Sequence, residues 1–268
     1  MLKDITLGQY FPGESFIHRL DPRTKLLMVI LYIVALFMAT SWLAYGAVIL
    51  FLALCIKISA IPLKSITRGL KPVLLIVALT GILNLFFTPG THEIFTVFGF
   101  TLTWEAVERA SQMILRIMLL ITGTFLLTYT TSPIALTDGL ERLLSPLKAV
   151  KFPVHELSMM MCIALRFIPT LIEETDKIMS AQKARGADFE TGKLMDRVKA
   201  LIPILVPLFI SAFRRADELA TAMECRCYQG GEGRTKMKIL RYHRNDIQAF
   251  GIGILLIVGM AILGSFGL

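Results

Sequence analysis

Ala181-Gln182-Lys183-Ala184-Arg185-Gly186-Ala187-Asp188-Phe189 and, 41 positions on from its arginine, Ala222-Met223-Glu224-Cys225-Arg226-Cys227-Tyr228 decide how this chain is read. Each places an arginine between small residues at the end of a long helical pattern. Asp176 and Asp217 each lie nine positions before their arginine, and Ala181 and Ala222 four before. Behind the first arginine, Leu157, Met161, Ala164, Leu165, Ile168 and Ile172 recur at three-to-four spacing, the pattern of one amphipathic helix over 154–185 with a possible kink at Pro169. Lys193 to Tyr228 reads as a second long helical region, interrupted by Pro203 and Pro207, and Gly186 and Gln229-Gly230-Gly231 read as helix stops.

Around this charged block the chain is strongly apolar. Hydrophobic residues make up 55% of 268 and charged ones 18%, where a soluble domain would be about a quarter charged. Mean hydropathy is +0.67. The apolar residues are clumped into runs, which indicates a polytopic membrane protein. Leu26 to Ile56 contains no charge; as one helix it would span ~46 Å against a hydrocarbon core of ~30 Å, so a split near Thr40-Ser41 into two spans is expected. A basic connector with Pro62 follows, then spans over 72–87, about 110–129 and 247–268.

Lysines and arginines orient these spans. Twenty-six of 28 fall in three blocks: before the first span, between 57 and 71, and between 142 and 244. With the N-terminus inside, all three blocks are cytoplasmic and the Lys/Arg-free turns at 40–41 and 88–104 are outside, as is the C-terminus. The expected fold is all-α: a polytopic membrane helix bundle with two long cytoplasmic amphipathic helices. It divides into an N-terminal membrane region over 1–131, a cytoplasmic region over 132–244 and a C-terminal span over 245–268. Targeting is expected to rest on an uncleaved first span, since acids and prolines precede it.

Several function classes find no support. The +8 net charge does not form a phosphate-binding face, because the basic residues flank apolar runs and alternate with acids, so no nucleic-acid partner is expected. Cys225-x-Cys227 has no second half and no nearby histidine, which argues against a zinc site, and no cofactor is expected. Gly230-Gly-Glu-Gly-Arg-Thr-Lys lacks the Gly-Lys pair of a phosphate loop and reads as a turn. Glu173-Glu174 reads as a solvated face, the two carboxylates pointing in different directions. No residue is assigned to catalysis. Arg116 lies mid-span, where a charge is costly; it faces the bundle interior, snorkels toward the surface near Glu108-Arg109 or, with Asn84, forms a midplane site of a self-contained secondary transporter or channel. The transporter reading calls for inverted halves, which are not visible. A lipid-modifying membrane enzyme would need clustered acids or histidines, also not visible.

The two arginines carry the remaining signal. A guanidinium between small neighbours at a helix end is an uncrowded planar fork, suited to pairing with a carboxylate in a partner's groove. The alternative for either one alone is a solvated cation favoured by the helix dipole. Ala184-Arg185-Gly186 with Ala181, and Cys225-Arg226-Cys227 after Glu224, resemble the paired Ala-Arg-Gly signatures of the energy-coupling factor (ECF) transporter T component, the EcfT/CbiQ family. The resemblance extends to Asp21-Pro22-Arg23-Thr24-Lys25 at the entry to the first span and to the order of spans and arms. The second motif departs from the pattern, with cysteines where the family has Ala and Gly.

The resemblance implies a bacterial cell-membrane scaffold without ATPase activity of its own. It implies two ABC-type ATPase subunits, each receiving one arginine-tipped coupling helix, and a small substrate-binding S component packed on the apolar side of the arms for vitamin or micronutrient uptake. Ala184, Arg185, Gly186, Cys225, Arg226 and Cys227 would then bind the ATPases. Met159, Met160, Met161 and Leu165 offer a soft apolar surface for the S component; the same methionines would equally serve to pack the arms together.

Overall fold

The computed structural model describes residues 10–87, 93–97, 100–187, 189, 194–231, 233 and 239–265. Helices dominate it: α1 (Pro22–Met38), α2 (Trp42–Ser59), α3 (Leu63–Phe87), α4 (Trp104–Thr130), α5 (Pro133–Leu143), α6 (Val154–Ala184), α7 (Leu194–Cys225) and α8 (Arg244–Ser265). Strands β1 (Glu93–Val97) and β2 (Phe100–Thr103) form an antiparallel hairpin within the segment expected to be the Lys/Arg-free turn over 88–104. Residues 88–92 and 98–99 of that segment, the start of the second arm at Lys193, and 232 and 234–238 of the expected Gly-rich turn lie outside the described residues.

Local chemistry sets the helix boundaries. α1 starts where Asp21 accepts a hydrogen bond from the Arg23 backbone N–H (2.9 Å) and Pro22 occupies the first turn, where its missing N–H costs nothing. Its end and the start of α2, capped by the Ser41 hydroxyl on the Ala44 N–H (3.3 Å), fall at the expected break. Thr103 caps α4 in the same way through the Ala106 N–H, six residues ahead of the span expected from about 110. In α3 the expected connector and span merge into one helix of 25 residues with Pro72 inside it. The apolar run after Pro72 outweighs the one ladder bond it removes. α6 and α7 likewise continue through Pro169, and through Pro203 and Pro207.

Among the described residues, five helices are long and apolar enough to cross a membrane: α2, α3, α4, α6 and α8. α6 belongs to this group although its pattern was read as a surface arm. Its charges cluster towards its C-terminal end, at Glu173, Glu174, Asp176, Lys177 and Lys183, so the apolar stretch is its N-terminal part, which holds only Glu156 and Arg166. α1, expected as the first span, has 17 residues, the short end of what a bilayer requires.

The described residues separate into two compact units, one within 10–140 and 240–265 and one within 141–239. In the first, α1, α2, α4 and α8 share a core of Tyr32, Ala35, Leu36, Ala44, Tyr45, Val48, Leu52, Leu119 and Met260. Gly123 allows the closest approach there: a Cβ at that position would meet the Tyr32 ring at 2.3 Å. A polar knot ties the helix ends of this unit. Asp246, fully buried, accepts from the backbone N–H groups of Asp21 (2.9 Å) and His243 (2.7 Å). Lys25 Nζ donates to the carbonyls of His18 (3.1 Å) and Thr130 (2.8 Å). Arg23 donates to the Leu240 carbonyl (2.8 Å) and lies over the Tyr242 ring. The starts of α1 and α8 and the end of α4 therefore lie together, which accounts for Asp21, Arg23 and Lys25 at the chain's entry to the bundle.

Candidate functional site

The second unit contains the two arginine motifs, and both helices end in the same way. In α6, Arg185 is the C-cap, Gly186 follows at φ +87°, the Gly186 N–H donates to the Lys183 carbonyl (3.0 Å) and the Ala187 N–H to the Gln182 carbonyl (3.0 Å). In α7 the residue after Cys225 is Arg226, followed by Cys227 at φ +57°. The Cys227 N–H donates to the Glu224 carbonyl (2.8 Å) and the Tyr228 N–H to the Met223 carbonyl (3.0 Å). Both are Schellman ends, with the arginine at the last position before a left-handed residue. The structure thus gives a local reason for the residue after each arginine: glycine takes φ > 0 freely, and Cys227 takes it at a cost. Ala184, Arg185, Gly186, Cys225, Arg226 and Cys227 are all exposed, and both cysteines are free thiols.

The partners of α6 and α7 set where these ends lie. Glu174 of α6 accepts from the Ser211 hydroxyl and from Arg215 (2.9 Å), both on α7. Pro207 cannot donate to the carbonyl four residues back, that of Pro203, and the Gln182 amide of α6 reaches that carbonyl with a long 3.5 Å bond. At the other end, Gly231 lies against the His155 ring, where a Cβ would meet Cδ2 at 2.4 Å. Residue numbers rise along α6 as they fall along its neighbour, so the helices run antiparallel and their C-terminal arginines point to opposite ends. Arg226 falls beside the first turns of α6, about 25 residues or roughly 38 Å of helix rise from Arg185 when the two helices lie side by side. Glu173 is exposed, as expected of a solvated face, but Glu174 is half-buried and joins the arms.

The apolar surface of this unit extends beyond the methionines. Met160 and Met161 are exposed, while Met159 and Leu165 are half-buried. A longer exposed stripe runs along α7 through Ile202, Leu205, Val206, Phe209, Ile210 and Phe213, with the last three at 61%, 57% and 68% exposure and the two phenylalanine rings stacked. Its three-to-four spacing was visible in the sequence, but two prolines in the same run made the region look interrupted. At the base of α6, Ser158 donates to Glu141 (2.8 Å) and His155 Nδ1 lies 3.3 Å from the same carboxylate. The serine thus bonds the acid rather than the imidazole, so this trio is not arranged for nucleophilic catalysis.

The residues of the alternative midplane site have separate structural employment. Arg116 donates through Nε to the Tyr45 hydroxyl (3.0 Å) and through a terminal nitrogen to the Ala39 carbonyl (3.0 Å), the group left free where α1 ends. Asn84 donates to the Thr80 carbonyl (2.9 Å) and to Met113 Sδ (3.0 Å). Among the described residues no group of three His, Cys, Asp or Glu side chains could hold a metal ion.

Comparison with known proteins converges on one family. The family model described as "CbiQ: Cobalt transport protein" matches residues 13–237. The energy-coupling factor transporter transmembrane protein EcfT of Ruminiclostridium cellulolyticum is 53% identical over 255 residues, 95% of each chain. That of Clostridium kluyveri is 54% identical over 250 residues, 93% of each, and that of Thermosediminibacter oceani 54% over 258, covering 96% of this chain and 97% of the relative.

Proposed function

The chain belongs to the CbiQ cobalt transport protein family, among the energy-coupling factor transporter transmembrane proteins, and from that premise we propose that it is a non-catalytic lever between two partner ATPases and a small substrate-binding membrane protein. The observation that carries the reading is the repeated helix end: two exposed arginines, each at the C-cap of a long helix and each followed by a left-handed residue, at opposite ends of an antiparallel pair. An arginine so placed stands clear of its own helix and can enter a carboxylate-lined groove, making two parallel charge-assisted bonds. Ala184, Gly186, Cys225 and Cys227 keep the approach narrow. Two separate tips suit two ATPase subunits, one groove to each.

Closure of the ATPases on ATP would displace the two tips relative to each other, and helices clamped at Glu174 would transmit that displacement as rigid bodies. The S component, carrying the vitamin or metal ion, would lie along the apolar stripe of α7 together with Met159, Met160, Met161 and Leu165, where a soft surface accepts differently shaped partners. A bacterial cell membrane is the setting, with the N-terminus cytoplasmic and the C-terminus outside. The common location of the α1 start, α4 end and α8 start supports that orientation, since the basic blocks adjoin it.

Purified alone, the chain is expected neither to hydrolyse ATP nor to bind a vitamin. Co-expressed with an ATPase pair and one S component, it should support ATP-dependent uptake in vesicles. ATP hydrolysis by the pure chain, or uptake without the ATPases, would contradict the proposal.

A further inference from the structure

The membrane unit contains a cavity of about 150 Å³ between α1, α2, α4 and α8, whose walls include Met28, Val29, Phe51, Leu52, Cys55 and Leu127. Phe16, Ile17 and Leu20, from the segment before α1, also line it. The helical residues involved fall at 25–32 of α1, 51–58 of α2, 123–130 of α4 and 249–252 of α8. These are the ends tied together by the Asp246 knot, together with the end of α2, so the cavity lies just inside one face of the bilayer.

We infer that this cavity holds a short stretch of one acyl chain of a membrane lipid from the leaflet facing the α1 N-terminus. Three observations favour that occupant. Lys25 and Thr130 are polar residues of the lining, and both are engaged by the main chain: Lys25 with the His18 and Thr130 carbonyls, Thr130 with the Leu126 carbonyl (2.7 Å). A polar solute would therefore lose its water contacts on entry and find little to replace them. An apolar cavity of this volume does not retain water and accepts hydrocarbon instead. Finally, four helices of this unit, α2, α3, α4 and α8, are long and apolar enough to cross a bilayer, which puts alkyl chains at hand as the surrounding solvent. The site is distinct from the arginine tips and does not rest on their reading. It gives the bundle a filler that its own side chains do not supply, at the junction from which the polar knot controls the helix ends.

The experiment uses the full chain, in complex with its partners, reconstituted in vesicles of phosphatidylglycerol and phosphatidylcholine doped with a phosphatidylcholine carrying a diazirine in one acyl chain. After illumination, labelled peptides are mapped by mass spectrometry. Label should concentrate on 25–32, 51–58 and 123–130, above the level at the openly exposed Leu75, Phe87 and Leu255. Filling the cavity by Cys55→Phe, or by Val29→Phe on a different wall, should remove that excess while leaving label at Leu75 and Leu255. Label spread evenly over exposed apolar residues would overturn the inference. So would an excess that both filled variants retain, or one found only when the partner subunits are left out, since the last would make the cavity a seat for a partner's side chains.

Discussion

The residue that separates the two arginine ends is the one after each arginine. Gly186 and Cys227 both adopt positive φ, with nothing within 4 Å of where a Cβ at 186 would stand. Backbone strain alone therefore decides a substitution there. Gly186→Ala should cost about 1 kcal/mol, and Cys227→Gly should recover a similar amount, read as roughly fivefold faster or slower hydrogen exchange at the Ala187 or Tyr228 amide. His18 gives a second test. Its Nε2–H donates to the Phe11 carbonyl (3.0 Å), which leaves Nδ1 to accept from the Ser15 hydroxyl (2.7 Å). Burial holds its pKa below the ordinary 6.5, against the opposing hydrogen bond to Phe11 and with help from the Lys25 charge. The unfolded chain then binds the proton more readily. The contribution of His18 is complete above pH 6.5 and is lost as the pH falls from there through the lower folded value. Protease cleavage between residues 10 and 20 should rise on acidification across that window in the parent chain, and His18→Gln should flatten the dependence.

At the scale of elements, the sequence was most legible where pattern and punctuation agreed. The run of α6 to Arg185 and the stop at Gly186 follow from apolar periodicity bounded by a turn residue, and the Thr40-Ser41 break from a charge-free run too long for one span. It was least legible at prolines. Pro203 and Pro207 read as interruptions and Pro72 as the start of a span, yet all three lie within helices, because long apolar faces offset one lost bond and, at Pro203, an amide on the neighbouring helix reaches the freed carbonyl. The clamp between the arms was not legible, since Glu174 and Arg215 are 41 positions apart and nothing local marks them as partners. A double-mutant cycle on Glu174→Ala and Arg215→Ala should return a coupling of about 0.5–1 kcal/mol, as both side chains keep some exposure. Arg116 is the converse case: its mid-span position left an interior-facing arginine and a midplane site both open, and its bonds to Tyr45 and Ala39 make it a brace between α4 and the α1–α2 turn. Arg116→Met should lower the thermal midpoint, by a loss on the order of 2 kcal/mol, while uptake per folded molecule stays unchanged. A loss of uptake at full stability would revive the midplane-site reading.

For the whole molecule, composition and charge placement lead to a membrane helix bundle, and family membership agrees with it. The site was legible only as two motifs. Their antiparallel arrangement depends on Glu174, Gln182 and His155 meeting residues far along the chain, and no spacing rule reveals that. The central claim is that the chain is gripped separately at Arg185 and at Arg226. The most direct test is co-purification of the ATPase subunits, in mild detergent, with Arg185→Glu, Arg226→Glu and the double variant, each checked for membrane insertion. Each single reversal is expected to weaken retention of the ATPases, and the double reversal to abolish it while the chain remains inserted. A double variant that retains both ATPases and still supports uptake would contradict the account.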